Sequence, residues 1–182
     1  VPSGTCGVEG FTLKKGSGTF TPMPGNGTYG GGVLSYQSSP IIKGNVIDSC
    51  GVATVLDFSG GGAIACYGGS PVIDGNTITA GTSQCGGGIY LYQASATIRN
   101  NRIIGCYPNA ESNQTKYGGG VYALHAPVSF ERNRIENNDG YKKGAGVYLY
   151  LSPASFERDT IALNDGGETG GGIYADHSAL AI

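Results

Sequence analysis

Residues 86–103 read GGGIYLYQASATIRNNRI, and this order of glycines, alternating residues and asparagine recurs along the chain. A glycine triplet, or its variant Gly-Ala-Gly, begins at Gly30, Gly60, Gly86, Gly118, Gly144 and Gly170. The sequence numbers of successive starts differ by 30, 26, 32, 26 and 26, so the base period is twenty-six residues, with four extra residues in the first unit and six in the third. A fixed period of this length indicates stacked structural repeats rather than one irregular core.

Three apolar positions recur in each unit. The residues after the glycines alternate, which predicts a half-buried strand. Its inward positions are Val33, Ala63, Ile89, Val121, Val147 and Ile173, followed by Ser35, Ala65, Leu91, Ala123, Leu149 and Ala175. A second strand is centred on Ile42, Ile73, Ile98, Phe130, Phe156 and Ile182, and a third apolar position holds Ile47, Ile78, Ile103, Ile135 and Ile161. Short strands in this arrangement bury their inward faces by winding into a solenoid, so the sequence predicts an all-β, right-handed parallel β-helix of about six coils.

A polar position separates the second and third strands of each unit. It holds Asn45, Asn76, Asn101, Asn133 and Asp159. An inward amide there can hydrogen-bond the backbone of its own turn and the amide of the next coil, and asparagine tolerates left-handed backbone. We therefore expect a structural asparagine ladder along the axis, at the ordinary inter-strand spacing of about 4.8 Å.

Two units resemble known repeats. Residues 86–92 (GGGIYLY) with 96–103 (ATIRNNRI), and residues 60–64 (GGGAI) with 70–78 (SPVIDGNTI), resemble the repeats of pectin-lyase-like right-handed β-helix proteins. Residues 130–133 (FERN) and the glycine-rich stretches are also similar to the paired short motifs of polymorphic outer-membrane protein passenger domains, which are surface-displayed β-helices. The resemblance covers about residues 30–182. It implies the fold and leaves the function open, because lyases, epimerases, tail fibres and adhesins share this scaffold.

The chain divides into residues 1–29, expected to form a degenerate N-terminal coil and a loop, and the β-helix repeats over residues 30–182. Residues 11–13 could supply one strand of the degenerate coil, and residues 16–27, rich in glycine, threonine and proline, are expected to form the loop. Two connections, residues 51–59 and 107–117, are longer than the others. Neither end shows a capping helix, which favours a piece of a longer protein or end-to-end pairing with other copies.

Composition restricts the classes of partner. The chain has 11 basic and 13 acidic residues, a net charge of -2 and no basic stripe, so we expect no nucleic-acid partner. No apolar run approaches the ~20 residues of a membrane-spanning helix, so we expect no membrane insertion. Few charges and no convergent catalytic set favour a non-catalytic protein.

The five cysteines lie in no metal-binding spacing, which favours disulfides in an oxidising compartment and hence an extracellular or cell-surface location. Cys50 and Cys106 occupy equivalent positions two coils apart and cannot reach each other. Cys85 is a candidate partner for either of them. Cys66 is expected to face outward, and the pairing, including that of Cys6, stays open.

Tyrosines dominate the outward positions of the first strand. We expect them to form a flat aromatic strip suited to sugar rings or to a packing partner, although tyrosine also stacks simply for the stability of a sheet. The candidate contact residues are Tyr36, Tyr90, Tyr92, Tyr122, Tyr148, Tyr150 and Tyr174. The leading hypothesis is an extracellular structural or adhesive β-solenoid, which contacts glycans through this strip or assembles end to end.

A polysaccharide lyase or hydrolase acting on acidic polysaccharide is the alternative. Such an enzyme needs carboxylates beside a basic residue. The nearest cluster is Glu131, Arg132, Arg134 and Glu136, which is also what cross-strand ion pairs on a solvated face would look like. We therefore assign no catalytic residue.

No metal site or cofactor is assigned either. Calcium is considered only for Asp139 and Asp165, which occupy equivalent Asp-Gly turns. His125 and His177 fall in one column two coils apart, with Leu151 between them, so at roughly 10 Å they cannot share a metal ion. An ice-binding solenoid would need regular outward threonine ranks, whereas tyrosine and mixed polar residues occupy these columns.

Overall fold

Short β-strands make up the regular structure of the chain. A computed structural model describes residues 6–21, 27–52, 58–109 and 117–182, in which strands of two to four residues occur and no helix is found. A search of those same ranges finds no helix long and apolar enough to cross a membrane.

Each coil contributes strands to three long parallel sheets, numbered here in the order in which a coil visits them after its glycines. Sheet 1 contains β5 (Val33–Tyr36), β9 (Ile64–Tyr67), β13 (Ile89–Tyr92), β17 (Val121–Leu124), β20 (Val147–Tyr150) and β23 (Ile173–Asp176). Sheet 2 contains β1 (Gly7–Glu9), β6 (Ile41–Lys43), β10 (Val72–Asp74), β14 (Ala96–Arg99), β18 (Val128–Glu131), β21 (Ala154–Glu157) and β24 (Leu180–Ala181). Sheet 3 contains β2 (Thr12–Lys14), β7 (Val46–Asp48), β11 (Thr77–Thr79), β15 (Arg102–Ile104), β19 (Arg134–Glu136) and β22 (Thr160–Ala162). One smaller sheet contains β3 (Thr19–Thr21), β4 (Gly27–Tyr29) and β8 (Phe58–Gly60). Another contains β12 (Thr82–Ser83) and β16 (Tyr107–Pro108).

The core consists of like side chains stacked along the axis. Ile42, Ile73 and Ile98 are aligned partners in sheet 2, and the rings of Phe130 and Phe156 continue the column with their centroids 4.6 Å apart. Together with the inward residues of the other sheets they form one buried cluster. Each buried side chain of this size is worth about 1.5–3 kcal/mol, so every coil adds stability through the same columns. The predicted all-β parallel β-helix is confirmed.

The register predicted for the second coil is wrong by one residue. Ile64, and not Ala63, is the aligned partner of both Val33 and Ile89. Cys66 consequently takes the inward position that was predicted for Ala65.

The origin of this shift lies in the second glycine triplet. The glycine that begins each coil has left-handed backbone, and in the second coil this is Gly61 (φ 66°), not Gly60. The following Gly62 lies where two coils approach, because a Cβ there would stand 2.4 Å from the carbonyl oxygen of Gly87. Only glycine fits such a contact without a shift of the backbone.

The N-terminal segment contains more strand than predicted. β1 and β2 align Val8 with Ile42 and Leu13 with Ile47, so this segment supplies the second and third strands of a degenerate coil. The loop expected over residues 16–27 is wrong in part, because β3 pairs with β4 in an antiparallel arrangement. Residues 1–5 and 22–26 lie outside the described residues.

All variation in coil length occurs at one corner, between sheets 3 and 1. In each coil the asparagine-ladder position comes fifteen positions after the left-handed glycine. From the ladder position to the next left-handed glycine, by contrast, the sequence numbers differ by 16, 10, 17, 11 and 11. The two long connections predicted at residues 51–59 and 107–117 both lie at this corner. Residues 53–57 and 110–116 within them are outside the described ranges.

Candidate functional site

The predicted tyrosine strip divides into a buried column and a partly exposed one. Tyr90, Tyr122 and Tyr148 are aligned neighbours in sheet 1, with ring centroids 5.5 and 5.0 Å apart. All three are buried, Tyr90 to 2% exposure, so the prediction that they form a contact surface is wrong. Tyr174 continues this stack, 5.4 Å from Tyr148, and is only partly buried.

Side chains from the variable corner cover the buried column. Tyr29, at the end of β4, and Phe58, at the start of β8, pack against Tyr90 at centroid distances of 5.8 and 5.7 Å. Tyr117 stacks on Tyr148 at 4.8 Å. These residues form a second hydrophobic cluster outside the main core. Desolvation in this cluster raises the pKa of Tyr90 well above its ordinary value, so this phenol stays protonated.

The partly exposed column follows the second outward position of sheet 1. It contains Tyr36, Tyr67, Tyr92, Leu124, Tyr150 and Asp176. Tyr36 is 49% exposed, and Tyr92 and Tyr150 are partly exposed. Tyr67, which lies between Tyr36 and Tyr92, is only 3% exposed. The sequence prediction omitted Tyr67 because the misaligned second coil placed Cys66 in this column.

A cleft of about 70 Å³ opens where Tyr67 recedes, lined by Tyr36, Tyr67, Tyr92, Gln37, Gly68 and Gln93. We call it the tyrosine–glutamine cleft. The ring of Tyr67 lies 6.5 Å from that of Tyr36 and 5.1 Å from that of Tyr92, so the three rings form one wall. None of the six lining residues is charged.

Glycine at position 68 creates the cleft. The residue that follows each sheet 1 strand has left-handed backbone, and the column reads Gln37, Gly68, Gln93, His125, Leu151 and His177. Gly68 is the one member without a side chain, so the glutamine amides stand on either side of an empty rung. A Cβ at Gly68 would meet Gln37 only at 3.7 Å, an ordinary contact. The gap is therefore not imposed by crowding.

The two histidines lie in this same column, with Leu151 between them, as predicted from the spacing. The ring of His125 makes edge contacts with Tyr92 and Tyr150, at centroid distances of 6.5 and 6.2 Å. Nδ1 of His177 lies 2.6 Å from Oδ1 of Asp176 on the neighbouring residue. The structure brings each histidine to an aromatic edge rather than to the other histidine.

The asparagine side chains are linked from coil to coil. Oδ1 of Asn101 accepts hydrogen bonds from the backbone N–H and from Nδ2 of Asn76, at 2.8 and 3.0 Å. Nδ2 of Asn101 donates to the carbonyl of Ile73 at 2.8 Å and to Oδ1 of Asn133 at 3.1 Å. Asn45 forms the corresponding hydrogen bonds to Oδ1 of Asn76. At the next coils, Oδ1 of Asp159 accepts hydrogen bonds from the backbone N–H and from Nδ2 of Asn133.

Two further ladders were missed in the sequence. Asn138 donates through Nδ2 to Oδ1 of Asn164 at 3.0 Å, and its own Oδ1 accepts the N–H of Cys106 at 2.9 Å. Ser152 and Ser178 form a hydroxyl ladder at another turn, where Oγ of Ser178 accepts the N–H of Ser152. Both pairs repeat at the base period, which is the signal that could have revealed them.

A family model described as a right handed beta helix region matches residues 10–181. The chain belongs to the right-handed β-helix family. The match covers the three sheets except β1, together with the ladders and the cleft, and the fold implied by the predicted resemblance is confirmed. No curated protein and no solved structure gives a significant match.

The disulfides predicted for this β-helix are wrong, because no disulfide bond joins any of the five cysteines, all of which lie within the described ranges. Cys50, Cys66 and Cys106 lie in the main core, whereas Cys85 lies in the outer aromatic cluster, so the candidate pairings with Cys85 and the outward placement of Cys66 fail. Burial raises the pKa of Cys66, Cys85 and Cys106 to about 12. These groups therefore behave as small apolar side chains and not as nucleophiles.

The charged cluster considered for an acidic-polysaccharide enzyme consists of local ion pairs. Arg132 Nη1 lies 2.6 Å from Oε1 of Glu131, and Arg134 Nε lies 2.6 Å from Oε2 of Glu136. Each arginine is thus engaged by a carboxylate close to it in sequence, as expected for a solvated face.

In the two Asp-Gly turns, each aspartate carboxylate accepts a hydrogen bond from the backbone of its own turn. Oδ1 of Asp139 accepts the N–H of Tyr141, and Oδ1 of Asp165 accepts the N–H of Gly167. Side chains that could act as metal ligands form no group of three or more among the residues that the structure describes. The calcium hypothesis has no further support from this geometry.

Proposed function

We propose that the chain is a non-catalytic β-solenoid that contacts glycans through the tyrosine–glutamine cleft, as part of an extracellular structural or adhesive protein. The observation that carries the proposal is the cleft itself, where Tyr36 and Tyr92 rise beside the recessed Tyr67. Aromatic rings offer an apolar face to the C–H groups of a sugar, and amide side chains offer both donors and acceptors to its hydroxyls.

The rest of the scaffold is suited to holding such a site rigid. The ring of Tyr67 is fixed by Tyr29, whose centroid lies 5.0 Å away in an edge-on arrangement, and by Tyr90 at 5.9 Å. Backbone pairing with neighbouring coils holds the turn, since the N–H of Gln37 donates to the carbonyl of Tyr67 and the N–H of Gly68 to that of Tyr92. A preorganised site loses less conformational entropy on binding.

Binding to immobilised polysaccharides, followed by calorimetry on soluble oligosaccharides, tests the proposal. Gly68→Gln should abolish binding, because a glutamine continues the column and fills the cleft. Gly75→Asn is the matched control: Gly75 is also left-handed, the equivalent residue one coil later is Asn100, and the position lies far from the cleft in the coil. Binding by the control and not by Gly68→Gln is the expected result. Equal binding by both variants, or release of sugar products by the unmodified protein, would contradict the proposal.

The location and the assembly are separate proposals. Structural and cell-surface glycans lie outside cells, so contact with them goes with an extracellular or cell-surface location, which fractionation of native cells would test. Assembly with other copies through the coil ends is tested by electron microscopy of the purified protein, in which fibres are expected and monodisperse single particles would contradict it.

A further inference from the structure

The tyrosine–glutamine cleft is small enough to indicate which part of a sugar enters it. Its volume of about 70 Å³ lies well below the ~300–1,000 Å³ of pockets that enclose a whole small-molecule ligand. An exocyclic substituent enters this space, while the sugar ring itself would remain above it, against the exposed faces of Tyr36 and Tyr92. This inference rests on the proposed function and names the chemistry of its ligand.

The charge of the cleft excludes the acidic substituents. The cleft is lined by three phenols, two amides and a glycine. A carboxylate or sulfate entering it would lose water without gaining a counter-charge, which is costly. An uncharged polar group is therefore favoured.

An amide group of a ligand fits the space that the missing side chain of Gly68 leaves between the two glutamines. Gln37 and Gln93 stand two rungs apart, roughly 10 Å, and both side chains are exposed. Within the described ranges their amides make no side-chain hydrogen bond with the protein, so both remain available to a ligand. In the asparagine ladder of this chain, planar amides on successive rungs already bond to one another at 2.9–3.1 Å. A ligand amide on the vacant rung would continue the glutamine column in the same manner.

We propose that the cleft recognises an N-acetylated amino sugar, whose acetamido group occupies the rung left empty by Gly68. The acetamido N–H donates to Oε1 of one glutamine, and its carbonyl accepts from Nε2 of the other. The methyl group packs against the ring of Tyr67, which is the apolar floor of the cleft. A hydroxymethyl group would fill less of the space, and it offers a single oxygen in place of the separate N–H and C=O groups of an amide.

The test compares two soluble oligosaccharides that differ at one substituent. Chitotetraose and cellotetraose share the same β-1,4-linked backbone, and the first carries an acetamido group where the second carries a hydroxyl. Calorimetry should show at least about tenfold tighter binding of chitotetraose, since a site built for two amide hydrogen bonds penalises a ligand that lacks them. Gln93→Gly should remove most of this preference. Glycine keeps the left-handed turn, so the variant is expected to fold.

The possible outcomes separate the acetamido assignment from the broader proposal of glycan contact. Equal affinity for both oligosaccharides would overturn the acetamido assignment and leave glycan contact standing. Binding of neither would overturn the acetamido assignment, and together with no binding to the immobilised polysaccharides it would overturn glycan contact as well. Tight binding of chitotetraose that survives both Gly68→Gln and Gln93→Gly, with circular dichroism showing folded variants, would place the site elsewhere and overturn the assignment.

Discussion

Replacement of Asn101 by alanine should cost about 2.5 to 7.5 kcal/mol of the free energy of unfolding. The side chain takes part in four buried hydrogen bonds, two accepted from Asn76 and one donated each to Ile73 and Asn133. Removing it leaves the buried backbone N–H of Asn76 without its acceptor, at about 1–3 kcal/mol, and the other three bonds are worth about 0.5–1.5 kcal/mol each. The total lies at the upper end of what single substitutions do.

Guanidinium unfolding followed by far-ultraviolet circular dichroism measures the loss, with the slope of the transition compared between variants. Ser155→Ala is a suitable control, because its exposed hydroxyl makes only a 3.4 Å contact with Ser129 and should change stability by less than about 0.5 kcal/mol. A loss below about 1 kcal/mol for Asn101→Ala would refute the reasoning. It would show that water replaces the ladder amide at little cost.

Three further predictions concern the cysteines. Cys106→Asn should stabilise the fold by about 1 kcal/mol in the same assay, since an amide there can reach Asn138 and the carbonyl of Ile78. Cys66→Asn should destabilise the fold, because it places an amide in the apolar column of sheet 1. Stability should fall as the pH rises from about 9 towards 12. The buried thiols of Cys66, Cys85 and Cys106 have a raised pKa of about 12, so the unfolded chain loses these protons at a lower pH than the folded chain does. A midpoint of urea unfolding that stays constant over this pH range would contradict the burial of these thiols. The same three thiols should react with a disulfide reagent only after denaturant is added, whereas the exposed thiol of Cys6 should react at once. Rapid native-state labelling of Cys66, Cys85 or Cys106, located by mass spectrometry, would show that the core opens.

The fold could be predicted because its determinants are local and repeated. Stacked coils require an inward apolar residue on every coil and, in this chain, an asparagine or aspartate at a fixed distance from the glycines, whereas a single irregular core requires neither. Ile73 and Asn76, for example, sit in the second coil at the positions that their spacing from Ile42 and Asn45 requires.

The second coil shows where glycine patterns mislead. Three consecutive glycines at 60–62 offer two registers, and the triplet that resembles the others begins one residue early. The position of Asn76 resolves the ambiguity, because the fifteen-position spacing found in the other coils is met from Gly61 and not from Gly60. The error moved Ile64 and Cys66 to the outer face and hid the role of Tyr67 in the cleft.

The burial of the tyrosine strip could not be predicted from alternation alone. Alternation tells which side chains point away from the coil axis, but not whether another segment lies over them. Here Tyr29 and Tyr117 lie directly before a left-handed glycine, at a position that pairs from coil to coil but is held by no single residue type, and Phe58 lies in the irregular corner. No periodic pattern therefore predicts their contacts with Tyr90 and Tyr148. Tertiary packing of a non-repeating segment is the part of a solenoid that periodicity leaves undetermined.

The confinement of length changes to one corner has a consequence for how such a chain can diverge. An insertion or deletion at the corner, after the sheet 3 strand and before the next left-handed glycine, leaves the columns of the three long sheets in register. A single-residue insertion or deletion within the block from that glycine to the end of the sheet 3 strand would instead move the following strands out of phase with their neighbours. Gene segments encoding the corner can therefore gain or lose whole codons with little cost to the three sheets, as long as Tyr29, Phe58 and Tyr117 keep their contacts with the buried tyrosines, while the block tolerates substitutions only. For protein engineering, the same corner is the place to insert a foreign peptide for display on this scaffold.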